Sequence, residues 1–262
     1  MKKTDGLKIS DSPYVDLSDY ARGAAVFIAR LLVPTPIRAT QVTWFHFLLM
    51  LIAAICLHQG TMMAMGFAAL LIALKNLFDA VDGSLARLQN RPSRVGRFLD
   101  SNLDFIGNLA LFLAIPGISI EARIAGFFAF IFQGSIYNYY AVWYRFEHNG
   151  DKTSRLVESG DSPYEYDDPR TLRILFILYR IFYLWQDRGV AVLDRFVAGK
   201  TAPAPKTHFM ELSSVLAPGF QYLAIIFFLV LGTPAAIPDT FIFVFGIYTV
   251  MLLLTRSPSG DE

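Results

Sequence analysis

The chain is 262 residues long, 54% hydrophobic and 15% aromatic, with a formal net charge of +1. It is too apolar for an ordinary soluble domain, and the near-zero charge argues against nucleic acid as a partner. One cysteine, Cys56, lies in an apolar run. With no second thiol it forms neither an internal disulfide nor a thiolate metal site, and it reads as a small hydrophobe.

The first twenty residues, MKKTDGLKISDSPYVDLSDY, are polar, with no apolar stretch behind the two lysines. No secretory leader is expected there. Residues 14–33, YVDLSDYARGAAVFIARLLV, gather apolar residues on one helical face and place Asp16, Asp19, Arg22 and Arg30 elsewhere. They read as an amphipathic helix lying in the membrane interface, the alternative being an ordinary cytoplasmic helix packed on the bundle.

A spanning helix needs about 20 mostly apolar residues. Six segments qualify: 43–59, 62–88, 97–117, 119–146, 213–232 and 236–254, the fourth being the weakest because Glu121 and Arg123 sit near its start. Residues 147–211 form a long polar insert between the fourth and fifth. Within it TLRILFILYRIFYLWQDRGVAVLDRF mixes apolar clusters with Arg173, Arg180, Asp187, Arg188, Asp194 and Arg195. Those charges are too frequent for a span, so a second interfacial helix is expected, followed by the proline-broken connector TAPAPKT.

Lys and Arg concentrate before the first span, between the second and third, and between the fourth and fifth, while HQGTM, PGISIEAR and GTPAAIPD are nearly bare. The positive-inside bias then puts both termini and the loop after the second span in the cytoplasm. The expected fold is all-α and integral to the membrane, with six transmembrane helices plus the N-terminal amphipathic helix. Residues 1–39 form the cytoplasmic N-terminus, and 40–262 form the six-helix domain with its insert at 147–211.

The chemistry concentrates in DAVDGSLARLQNRPSRVGRFLDSNLD, residues 79–104. Asp79 and Asp82 are three apart, and Asp100 and Asp104 four apart, so each pair shares one face of its helix. The short connection with Pro92 and Gly96 makes the two helices antiparallel neighbours, so the pairs can face each other at the membrane edge. Bare buried carboxylates are very costly, so arginines or a divalent metal must join them. Hard oxygen ligands suit Mg, Mn or Ca, and two ions sharing carboxylates would stabilise attack and departure at one phosphorus. Gly83 and Ala86 clear space on the same face, and the fork of Arg87 suits a phosphate oxygen. The alternative is that the small residues only let helices pack closely.

The pattern D-x2-D-G-x2-A-R-x8-G-x3-D-x3-D is filled without departure by Asp79, Asp82, Gly83, Ala86, Arg87, Gly96, Asp100 and Asp104. It resembles the signature of the CDP-alcohol phosphotransferase family. The six spans and the amphipathic helix are also similar to that family. The resemblance implies that Asp79, Asp82, Asp100 and Asp104 hold two divalent ions, Mg2+ or Mn2+. It makes Asp104 also the general base toward the acceptor hydroxyl. Gly83 and Arg87, with Ala86 and Gly96 of the signature, would accommodate the CDP moiety. Ser93 matches a nucleotide-contacting position outside the signature. Thr40-Gln41-Val42-Thr43 resembles the family's P-N-x-x-T element near the cytidine, but the asparagine is missing, and Thr40 or Thr43 could instead cap the first span.

The resemblance further implies a CDP-alcohol donor such as CDP-diacylglycerol, a small polar alcohol acceptor, a membrane setting and a homodimer. The family also includes enzymes that pass phosphocholine or phosphoethanolamine to diacylglycerol. From a different class, a divalent-cation transporter would use the aspartates to bind a passing ion.

Outside the motif, Lys75 lies one turn before Asp79 and either pairs with a carboxylate or snorkels. Arg91, Arg94 and Arg97 read as topology or headgroup contacts, or as binders of an anionic acceptor. His46, His58, His148 and His208 lack metal-ligand spacing and read as structural. The run YNYYAVWY reads as an interfacial aromatic belt.

Overall fold

A computed structural model describes residues 14–148, 150, 153–156, 158–199 and 202–256. Residues 1–13 of the expected cytoplasmic N-terminus, and Thr201 of the connector, lie outside the described residues. The described chain is all-helical. In order come α1 (Arg22–Leu32), α2 (Ala39–His58), α3 (Met62–Leu88), α4 (Arg94–Leu113) and α5 (Ile120–Glu147), then α6 (Pro169–Tyr179) and α7 (Trp185–Ala198) joined through a π-helical turn, Arg180–Leu184. Two longer helices close the fold, α8 (Thr207–Val230) and α9 (Pro234–Leu254).

Local chemistry sets the starts. Thr61, Ser93 and Ser119 are the N-caps of α3, α4 and α5, each accepting a backbone N–H from three residues on. The cap of α2 is neither Thr40 nor Thr43. Arg38 takes that position, and its N–H donates to the Gln41 side chain at 2.9 Å. The greasy centre of the bundle is built from Met50, Ile72, Phe112, Phe127, Tyr222 and Phe241. At Gly126 the ring of Pro238 leaves no room for a side chain, so α5 and α9 touch nearly backbone to backbone.

Four helices, α2, α3, α8 and α9, are long and apolar enough to cross a membrane. The segments expected as third and fourth spans are helical as α4 and α5, but they fall outside that group. α4 carries Arg94, Arg97, Asp100 and Asp104 in its first half, and α5 has Glu121, Arg123, Arg145 and Glu147 at its ends.

The N-terminal helix is shorter than expected, because residues 14–21 are not helical. They form a strap. Tyr137 donates to Asp16 at 2.5 Å, the Leu17 N–H reaches Ser214 at 3.2 Å, and Asn76 donates to Tyr20 at 2.9 Å. α1 buries Ala25 and Ala29 against the bundle and leaves Phe27 and Leu31 exposed. The tyrosine run also differs from a belt: Tyr140 and Tyr144 are buried, and Tyr140 donates to Asp194 of α7 at 2.8 Å.

The insert is folded onto α4. Arg94, which the sequence placed at the surface, is fully buried. Its guanidinium donates to Glu158 at 2.8 Å and to the carbonyls of Thr153 and Ser159 at 2.9 and 2.7 Å. Asp167 accepts from the Arg94 N–H at 2.9 Å and from the Ser93 hydroxyl at 2.5 Å. α6 then packs Leu172 and Tyr179 against Phe98. Breaking a buried ion pair from one side costs about 3 kcal/mol or more, because the other charge is left without compensation. Arg94→Met therefore exposes the 153–168 region: limited proteolysis there accelerates at least tenfold while helical circular dichroism is retained.

Candidate metal and phosphate site

The turn between α3 and α4 reverses the chain within a few residues, aided by Asn90 at φ 51°. The two aspartate pairs consequently face each other, as the spacing predicts. They line one cavity of about 730 Å³, with Gly83, Ala86, Arg87, Ser93, Gly96 and Thr43 also on its wall.

Two side chains from outside the signature organise the carboxylates. Lys75 is buried and bridges the two helices, with Nζ 3.1 Å from Asp79 and 2.8 Å from Asp104. This decides its role in favour of pairing. His46 is also fully buried. Its Nε2 lies 3.2 Å from Asp82, 3.6 Å from Asp100 and 3.8 Å from Asp79. A structural role away from the site, expected for all four histidines, thus does not hold for His46. Chain spacing gave no warning, because its neighbours come from other helices. The available signal was its place one helical turn after Thr43, whose hydroxyl donates to Asp82 at 2.6 Å.

The nucleotide-side positions are arranged as follows. The Arg87 guanidinium folds back across Gly83, where a Cβ would meet it at 3.4 Å. At Gly96 a Cβ would touch Ser93 at 3.6 Å and the Thr40 methyl at 3.8 Å, so the starts of α2 and α4 lie close together. The Ser93 hydroxyl, expected to face a nucleotide, is engaged by Asp167 and by the Gly96 N–H. Arg97 is also tied down, donating to Ser154 at 2.8 Å and to Ser101. Arg91 and Arg145 line the same cavity.

The donor set fits divalent cations. His46, Asp79 and Asp104 form one triad, and His46, Asp82 and Asp100 another, with the ligand atoms of each within 4.8 Å of one another. An octahedral ion with bonds of about 2.1 Å places neighbouring ligands about 3 Å apart and opposite ones about 4 Å. The Asp100 Oδ1 is buried and has no hydrogen-bond partner among the described residues, an acceptor left for a cation. Carboxylate oxygens dominate, which suits hard ions.

Residues 36–154, which contain this entire constellation, match the CDP-alcohol phosphatidyltransferase family. Over those residues the chain is similar to a CDP-alcohol phosphatidyltransferase domain. Members of that family use divalent metals, CDP-alcohol donors and alcohol acceptors. Among curated relatives, the chain is 30% identical over 158 residues to a bifunctional IPC transferase and DIPP synthase of Thermococcus kodakarensis, covering 59% of this chain and 35% of that protein. It is 35% identical over 100 residues to a phosphatidylinositol phosphate synthase of Cutibacterium acnes, covering 36% of this chain and 47% of the relative. Over 39 residues, 15% of the chain and 20% of the relative, it is 59% identical to an archaetidylinositol phosphate synthase of Aeropyrum pernix. In each case the match spans less than half of the relative's length.

Among the described residues Lys75 supplies the one ammonium between Asp79 and Asp104, and a divalent ion must share those carboxylates with it. Lys75→Met lowers the melting temperature of the metal-free protein in detergent by several degrees. It also enlarges the upward shift produced by saturating Mn2+, relative to wild type.

Proposed function

We propose that the protein is a membrane transferase that moves a phosphatidyl-type group from CDP-diacylglycerol, or a closely related CDP-alcohol lipid, to a small polar alcohol, releasing CMP. The observation that carries this reading is the convergence of Asp79, Asp82, Asp100 and Asp104 in one cavity beside Gly83 and Arg87.

Two divalent ions bound by the four aspartates, Mg2+ or Mn2+, would neutralise the charge developing on the phosphates. The chain's own groups do the rest. Arg87, lying over Gly83, binds phosphate oxygens of the CDP moiety, with Ala86 and Gly96 leaving room for the nucleotide. Asp104 takes the proton of the acceptor hydroxyl, and the oxygen attacks the β-phosphorus. The bond from that phosphorus to the bridging oxygen breaks and CMP departs. Asp79, Asp82 and Asp100, with Asp104, would hold the ions, while Thr43 and His46 orient Asp82 and Lys75 orients Asp79 and Asp104. No covalent enzyme intermediate is required, so catalysis rests on positioning and electrostatics.

The same reading makes α4 and α5 the third and fourth of six spans, with their charges gathered at the cytoplasmic cavity mouth or the opposite end. Arg38, Arg91, Arg97 and Arg145 all line that cavity, which supports a cytoplasmic active site under the positive-inside bias. Outward apolar side chains on α6, the π turn and α7, with Ile174 61%, Ile181 63% and Phe196 88% exposed, support an insert helix lying in the interface. Phe27 and Leu31 support the same for α1. The homodimer rests on the family resemblance. Two relatives are named for inositol-phosphate lipids, so inositol phosphate is the first acceptor to test.

The test is CMP release by purified protein with Mn2+ or Mg2+. CDP-diacylglycerol is offered with inositol phosphate, glycerol phosphate and serine, beside CDP-choline and CDP-ethanolamine with diacylglycerol. Turnover that needs one acceptor and falls at least a thousandfold in Asp104→Asn supports the proposal. Turnover only with the CDP-aminoalcohols shifts the protein to the aminoalcohol branch. Aspartate-dependent Mn2+ flux into vesicles, without CMP release, moves it to cation transport.

A further inference from the structure

The cavity has a wall that lies outside the family match. It comes from the insert, where α6, the π turn and α7 place Tyr179, Tyr183 and Asp187 in turn on the cavity lining beside Ser101 of α4. Tyr183 donates to the Ser101 carbonyl at 3.1 Å, one residue from Asp100. Burial, and then the Asp104 carboxylate, push its hydroxyl well above the ordinary tyrosine range, so it stays a hydrogen-bond donor. The wall therefore stands on the α4 side of the site, while Gly83 and Arg87 stand on α3.

The π turn is what builds this wall. Residues eight apart on an uninterrupted α-helix point about 80° apart, at 3.6 residues per turn. The wider turn at Arg180–Leu184 removes most of that offset, and the Tyr179 hydroxyl reaches the Asp187 carboxylate at 2.7 Å. Such turns recur at functional sites.

Asp187 is half-buried, and among the described residues it has no ion pair within 4 Å. Burial pushes its carboxyl up to about 6, against the pull of the Tyr179 hydrogen bond and the Arg97 charge. In its ionised form it is an acceptor-only group with about four lone-pair sites, of which the Tyr179 hydroxyl occupies one. A carboxylate held this way on the cavity wall fits a ligand that brings several hydroxyl donors. It is poorly suited to choline, which has no further hydroxyl to offer.

We propose that Asp187, held by Tyr179, is the acceptor-specificity residue, and that it recognises a polyhydroxylated acceptor by accepting its hydroxyl hydrogens. This rests on the transferase reading above. Asp187→Asn raises KM for inositol phosphate tenfold or more, with KM for CDP-diacylglycerol unchanged. Tyr179→Phe gives a smaller rise in the same parameter. Unchanged acceptor KM in Asp187→Asn, or an equal rise for the donor, overturns the proposal.

Calorimetric binding of inositol phosphate to the Mn2+-loaded protein separates this proposal from the transferase reading. If no acceptor supports CMP release, yet wild type binds inositol phosphate and Asp187→Asn does not, the site stands and the reaction fails. If wild type binds neither inositol phosphate nor glycerol phosphate, the site is refuted.

Discussion

Four carboxylates within a few ångströms of one another in an apolar bundle are the constraint around which this structure is arranged. Isolated, each would carry a heavy desolvation cost. The chain offsets part of that cost with groups from two helices, α2 and α3. Lys75 spans Asp79 and Asp104, His46 lies under Asp82 and Asp100, and the Thr43 hydroxyl fixes one oxygen of Asp82. The Asp100 Oδ1 keeps no hydrogen-bond partner among the described residues and all four aspartates line the cavity, an arrangement able to receive a cation.

The insert extends the same chamber. Arg94 and Asp167 form the pin: a buried guanidinium from α4 meets Glu158 and two carbonyls, while Asp167 ties back to the start of α4. The residues that begin α4 thereby hold the insert over the site. Because α6 and α7 are placed by that pin and by the packing of Tyr179 on Phe98, the cavity wall they supply keeps a set position relative to Asp100 and Asp104. On the other flank, the strap at 14–20 seals the bundle. Gly219 has no room for a side chain because the Ser18 carbonyl lies against it.

The motif was legible because it is local. Helical spacing alone puts Asp79 with Asp82 and Asp100 with Asp104, and a short turn with Pro92 brings the pairs together. The spans α2, α3, α8 and α9 were equally legible from apolar length. The roles of the cationic and polar residues around them were less so. Arg94 carries the same charge as Arg91, and nothing in their neighbours along the chain separates a buried pin from a cavity-lining residue. The first turn of residues 14–33 was misread because apolar side chains at helical spacing also suit a strap whose polar groups bond to distant helices.

The sequence by itself determined the helical architecture, the apolar length of α2, α3, α8 and α9 and the two aspartate pairs, since each depends on residue type and on spacing within one element. Only the tertiary structure decided that His46 and Lys75 complete the carboxylate cluster and that Arg94 is buried. It alone brought Tyr179 and Asp187 into the same chamber. The physical reason is shared: each acquires its role from groups that the fold brings near it, many of them tens of residues away along the chain. Electrostatic compensation depends on distance in space, which residue order does not record.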